Sequence, residues 1–63
     1  MESIKIYEVA YAKGCRYHRQ LVETARTEAE IRSWFLTEQK VMAVIGIYLF
    51  NGILQPGQQI TRI

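Results

Sequence analysis

Residues 41–50 read VMAVIGIYLF, and this stretch decides the fold. It carries no charged side chain, and its β-branched and aromatic residues suit the pleated surface of a sheet. Its alternate positions are apolar on both faces, which is typical of a strand covered on both sides. A transmembrane helix needs roughly 20 apolar residues, so this run is too short to cross a membrane. We therefore predict a central strand that is buried on both faces.

Strict alternation along this strand divides its side chains between the two faces of the sheet. The two sets are Met42, Val44, Gly46, Tyr48 and Phe50 on one face, and Val41, Ala43, Ile45, Ile47 and Leu49 on the other.

The chain has 63 residues, of which 49% are hydrophobic, and its formal net charge is +2. This composition indicates a folded core, and we expect one small domain over residues 1–63. A domain of about 60 residues buries only about 60% of its unfolded surface, so its apolar residues must be used efficiently. A single cysteine, Cys15, excludes an intrachain disulfide. The N-terminus lacks the basic start and apolar core of a signal peptide, so we expect a cytoplasmic protein.

Residues 3–12 alternate and are rich in Ile, Val and Tyr, which predicts a first strand. A turn over residues 13–16 follows, since Gly14 can take the positive φ of a tight hairpin. Residues 17–25 then form a second, antiparallel strand. The register that follows from this turn places Tyr11 opposite His18, Val9 opposite Gln20, Tyr7 opposite Val22, Ile6 opposite Glu23, and Glu8 opposite Leu21.

The segment TEAE from Thr27 to Glu30 is a capping box, in which Thr27 accepts from a first-turn amide while Glu30 reaches back. It predicts a helix over residues 28–38. The apolar stripe of this helix is Ile31, Trp34 and Phe35, spaced three and four residues apart. Because Trp34 lies on this stripe, we interpret it as a core residue and not as a platform for a ligand.

Asn51-Gly52 is typical of a type I′ hairpin, which would return residues 53–55 beside the preceding strand. Pro56-Gly57 indicates a second turn, after which residues 58–63 form a short closing strand or a loose tail. The order is β-β-α-β with one or two short C-terminal strands. The sequence thus predicts an α+β fold in which a small antiparallel sheet packs against a single helix.

One short helix covers one face of a small sheet, yet apolar residues occur on both predicted faces. Large exposed apolar patches usually mark interfaces. Our leading interpretation is a homodimer whose sheets stack or whose strands pair across a two-fold axis. Two alternatives are that residues 53–63 fold over the open face, or that a different protein covers it. The predicted interface consists of Tyr7, Val9, Tyr11, Val44, Tyr48 and Phe50.

Residues 13–19 read KGCRYHR and form the one stretch with a specific functional interpretation. Positive charge neutralises phosphates, and an aromatic ring can stack on a base. The candidate binding residues, for nucleic acid or for an acidic protein surface, are Lys13, Arg16, Tyr17, His18 and Arg19. The simpler interpretation is a solvated hairpin end whose charges protect an edge strand.

Catalytic motifs are not evident. Cys15 and His18 would supply a nucleophile and a base, but no third group orients them. One Cys and one His are too few ligands for a metal. Glu8 and Glu23 share a predicted face, where pairing with a cation is commoner than acid–base chemistry. We therefore expect a protein that is not an enzyme and uses neither a cofactor nor a metal.

The leading hypothesis is a small binding module that self-associates and acts through protein–protein interaction, such as an accessory or inhibitory protein of a phage or mobile element. The alternative hypothesis is a nucleic-acid-binding protein that uses the basic hairpin tip, residues 13–19. The β-β-α-β layout recurs in small proteins with unrelated roles, so the layout itself carries no function.

Overall fold

The computed structural model describes residues 3–63. They form four strands and one helix in the order β1 (Lys5–Lys13), β2 (Arg16–Thr24), α1 (Glu28–Thr37), β3 (Ala43–Leu49) and β4 (Ile60–Arg62). The strands make one sheet in the order β3-β1-β2-β4. β1 is antiparallel to both β2 and β3, whereas β4 runs parallel to β2, so the sheet is mixed. The predicted α+β fold, a small sheet against a single helix, is confirmed, but the prediction of an antiparallel sheet is wrong for β4, which returns to β2 in the parallel direction.

The hairpin of β1 and β2 has the register that its turn predicts. Gly14 takes a φ of +65°, and all five predicted pairs are present. A two-residue turn fixes this register because the strands leave it in only one alignment. The alternation of faces on β1 and β2 follows directly from it.

The capping box at the start of α1 is also confirmed. The Thr27 hydroxyl accepts from the Glu30 amide at 3.2 Å, and the Glu30 carboxylate accepts from the Thr27 amide at 3.0 Å. The hydrogen bond from the Thr27 backbone favours the charged carboxylate and lowers the pKa of Glu30. The helix ends at Thr37, one residue before the predicted end, and the Glu38 amide donates to the Trp34 carbonyl.

The core lies between α1 and one face of the sheet. Its buried side chains are Val9, Val22, Ile31, Phe35 and Val41. The rings of Tyr11 and Trp34 contact Phe35 with centroid distances of 5.1 Å and 5.2 Å. The predicted stripe of α1 therefore faces the sheet, and Trp34 packs at the margin of the core as a half-buried side chain.

The covered face of the sheet is the face that we predicted as an interface. Val9 is fully buried under α1, and Tyr7, Tyr11 and Val44 pack against the core. The predicted interface is wrong for these four residues. The physical reason is the difference in apolar area between the two faces of β1. The face opposite the tyrosines carries charged Glu8 and small alanines, so the helix buries more apolar area when it packs on the tyrosine side. Tyr48 and Phe50 lie on the uncovered side.

The predicted central position of the strand in residues 41–50 is also wrong. β3 lies at an edge of the sheet, and β1 and β2 are the inner strands. A shift in register opposite Ala10 and Tyr11 makes Ile45 an extra residue, so strict alternation fails. As a result Val44 and Ile47 both face the helix, while Ile45 and Tyr48 are exposed.

The Asn51-Gly52 hairpin is not formed, and residues 51–54 add no strand beside β3. The Pro56-Gly57 turn is confirmed: Gln58 donates its amide to the Gln55 carbonyl, and Gly57 has a φ of +83°. The predicted closing strand is β4, which pairs with the far side of β2. This pairing lets Ile63 pack against the core, and that burial favours it over a local hairpin.

The alternative in which residues 53–63 cover the face of the sheet opposite α1 is confirmed only in part. Gln58 and Gln59 line a cleft with Leu21 on that face, and Leu21 is buried. Ile53, in contrast, is 88% exposed. The segment therefore shields the β2 side and leaves the β3 side open.

We expect Thr27→Ala to lower the free energy of unfolding by about 1 kcal/mol, because the Glu30 amide loses its acceptor. Urea denaturation followed by circular dichroism measures the change. Thr37→Ala is the matched control, since Thr37 is exposed and its hydroxyl donates to the Ser33 carbonyl inside the helix. Equal losses from the two substitutions would contradict a specific role for the cap.

Candidate interaction surface

The side of the sheet that faces away from α1 is called the open face below. It carries large apolar side chains that remain more than half exposed: Ile4 at 69%, Tyr17 at 81%, Ile45 at 53% and Tyr48 at 57%. No second layer of the described chain packs over them, apart from the segment that shields Leu21. A soluble protein rarely exposes large apolar side chains together unless they form an interface.

An open cleft crosses the open face between the two exposed tyrosines. Tyr17 lies on one side of it, Ile45 and Tyr48 lie on the other, and Ala10 lies between them. The bottom of the cleft is formed by two small residues, since Ala10 of β1 pairs with Gly46 of β3. A Cβ atom at Gly46 would lie 2.6 Å from Cζ of Tyr48, so the Tyr48 ring lies directly over this glycine.

Among residues 3–63, the charged groups that the strand register places on the open face are balanced. Its acidic groups are Glu8 and Glu23, and its basic groups are Arg19 and Arg62. The Arg62 guanidinium contacts the Glu23 carboxylate at 2.8 Å. The predicted sharing of one face by Glu8 and Glu23 is confirmed, and Arg62 is the cation beside Glu23. A face with balanced charge has no net attraction for a polyanion.

The five candidate residues of the basic tip are all exposed, but they do not form one patch. The register puts Lys13, Arg16 and His18 on the helix side, and puts Tyr17 and Arg19 on the open face. The His18 ring stacks on Tyr11, with a centroid distance of 5.3 Å and an interplanar angle of 21°. Neighbours in sequence are thus separated by the alternation of the strand.

The remaining candidate groups stay apart. Cys15 is a free, exposed thiol in the hairpin turn, and His18 is engaged with Tyr11. Among residues 3–63, no group of three or more His, Cys, Asp or Glu side chains could hold a metal ion. Within the same residues, no helix has the length and apolar character to span a membrane.

The outer edge of β3 is a feature that the sequence analysis missed. The Phe50 amide donates to the Ile6 carbonyl at 2.9 Å, and Tyr48 lies opposite Glu8. In an antiparallel ladder the intervening residues direct their N–H and C=O groups away from the partner strand. The backbone groups of Ile47 and Leu49 therefore point to the outer edge.

The other end of this edge is closed by the helix. The Arg32 guanidinium donates to the Val44 carbonyl at 3.1 Å, next to the extra residue Ile45. A side chain that occupies an edge carbonyl prevents another strand from pairing there. The free part of the edge therefore runs from Ile47 to Leu49. The sequence signals of this edge are the absence of charge and of proline in β3.

Comparison with known proteins finds no matching family model, no significant match among curated proteins and no significant match among solved structures.

We expect Gly46→Ala to move the Tyr48 ring away from the strand, because the new Cβ would overlap with it. The ring is exposed and can swing into solvent, so the free energy of unfolding should change little. Proton NMR of the tyrosine rings measures the effect, with Tyr17 as the internal control. Unchanged Tyr48 ring shifts would contradict the close approach.

Proposed function

We propose that this chain is a small, non-enzymatic binding module that self-associates and acts through protein–protein contacts. The observation that carries the proposal is a group of exposed apolar side chains along β3. Ile45 at 53% and Tyr48 at 57% are exposed on the open face, and Leu49 at 50% is exposed on the helix side of the same strand. Burying apolar surface is favourable by about 25 cal/mol per Å², so a partner protein that covers these side chains gains binding free energy.

The charge balance supports a protein partner over a polyanion. Glu8 and Arg19 lie beside the cleft, and Glu23 is paired with Arg62. Interfaces between proteins are typically apolar and aromatic at the centre, with a polar rim. Ile45 and Tyr48 of β3 supply such a centre.

The wider role that we propose is that of an accessory or inhibitory protein. A chain whose exposed surface offers apolar contacts acts on a target by binding it. An origin in a phage or mobile element stays a prediction.

Self-association is tested by sedimentation equilibrium over a wide range of protein concentration. We expect a dimer for the natural chain and a monomer for the double substitution Ile45→Asp with Tyr48→Asp, because two carboxylates then enter the apolar surface. Leu36→Asp is the matched control, since Leu36 is an exposed apolar residue on α1. A natural chain that stays monomeric at every concentration would contradict the proposed self-association.

Nucleic-acid binding is a second candidate, because Tyr17 is exposed on the same face as Arg19. An aromatic ring beside an arginine suits a single-stranded segment. If this candidate is correct, a gel shift with single-stranded DNA or RNA at low salt weakens with added salt and disappears in Arg16→Ala with Arg19→Ala. Lys40→Ala is a control at an exposed cation outside the hairpin. The absence of any shift at low salt would remove the candidate.

A further inference from the structure

We propose that the second copy of this chain pairs with the outer edge of β3, antiparallel and across a two-fold axis at Tyr48. The two four-stranded sheets would then join into one continuous sheet of eight strands. This inference rests on the proposed self-association and names its geometry. It distinguishes pairing at the edge from stacking of the two open faces.

The backbone selects this register. An antiparallel pair forms between residues whose N–H and C=O groups point toward each other, and each such pair exchanges two hydrogen bonds. At the outer edge of β3 these residues are Ile47 and Leu49. With the axis at Tyr48, each Ile47 lies opposite Leu49 of the second copy. Each of these two pairs exchanges two backbone hydrogen bonds, so the outward N–H and C=O groups of both residues are satisfied.

Neighbouring registers leave more backbone N–H and C=O groups of the β3 edge without a hydrogen-bond partner. An axis at Ile47 would place Leu49 opposite Ile45, which is the extra residue at the irregularity in β3. An axis at Leu49 would place Ile47 opposite Asn51, which lies beyond the end of the strand. The hydrogen bond from Arg32 to the Val44 carbonyl closes the edge beyond Ile45. The free segment is therefore symmetric about Tyr48.

The side chains at this edge complement a second copy. Leu49 shares the helix side with Tyr7 and is 50% exposed, although Ile47 on the same side packs against the core. In the proposed pairing, each Leu49 contacts Ile47 of the other copy. The two Tyr48 residues become direct neighbours on the open face, in a pair whose Cβ atoms lie about 4.5–5.5 Å apart.

The chemistry of the edge favours self-pairing. Proteins usually protect exposed edges with lysine, proline or inward charges, and β3 has none of these. The free part of β2, in contrast, carries Arg16 and Arg19. Two copies meeting there would bring like charges together, which costs binding energy. The β3 edge is neutral, so two identical copies meet without repulsion.

The test compares the same substitution at two exposed tyrosines of the open face. Tyr48→Lys places two ammonium groups beside the axis, whereas Tyr17→Lys lies on β2, far from the β3 edge. We expect sedimentation equilibrium to show dimerisation weakened about tenfold or more by Tyr48→Lys and unchanged by Tyr17→Lys. Circular dichroism confirms that both variants fold.

Charge complementation separates a contact from a defect in folding. Tyr48→Glu alone should also weaken the dimer, and mixing it with Tyr48→Lys should restore dimers that contain one copy of each. In the Cys15→Ser background, Tyr48→Cys should oxidise to a disulfide-linked dimer, because residues paired across such an axis have a Cα separation that a disulfide can span. Tyr17→Cys is the control and should stay reduced under the same conditions.

Three results would overturn the inference. A dimer that is broken by Tyr17→Lys but not by Tyr48→Lys would show stacked open faces, and self-association itself would stand. Loss of the dimer in both lysine variants, without rescue by Tyr48→Glu, would have the same meaning. A natural chain that is monomeric at every concentration would remove self-association as well, and would leave the edge to a strand of a different protein.

Discussion

The structure depends on the contact between one helix of ten residues and one face of the sheet. Such a helix is about 15 Å long and has one apolar stripe, so it covers one face only. Ile31 and Phe35 bury Val9 and Val22 on that face. In a chain of 63 residues little is left for the other side, where Gln58 and Gln59 line a cleft beside the buried Leu21. The open face is the direct consequence of this limit.

The irregularity in β3 adapts an edge strand to this single core. Ile45 is the extra residue, and its insertion turns both Val44 and Ile47 toward the helix. The same insertion places Ile45 with Tyr48 in the exposed surface, where Gly46 makes room for the Tyr48 ring. Packing on one side of the strand therefore shapes the surface offered on the other side.

The candidate site was predicted in part. Tyr48 was named from the sequence as part of an apolar interface, and Tyr17 as part of the basic hairpin tip. Tyr7, Val9 and Tyr11 were assigned to the interface, although Val9 lies in the core and the two tyrosines pack against it. The other face of β1 also carries apolar residues, and only its charged Glu8 and small alanines make it bury less apolar area than the tyrosine face. The basic tip appears as a cluster in sequence, but the hairpin register divides it between two faces.

The sequence by itself determined the local structure: the hairpin register around Gly14, the capping box of Thr27 and Glu30, and the Pro56-Gly57 turn. These features depend on hydrogen bonds and dihedral preferences within a few residues, so their signals are short motifs. Only the tertiary structure decided which face α1 covers, the edge position of β3 and the parallel pairing of β4. Those choices depend on which arrangement buries the most apolar surface between distant segments, and no single segment encodes that comparison.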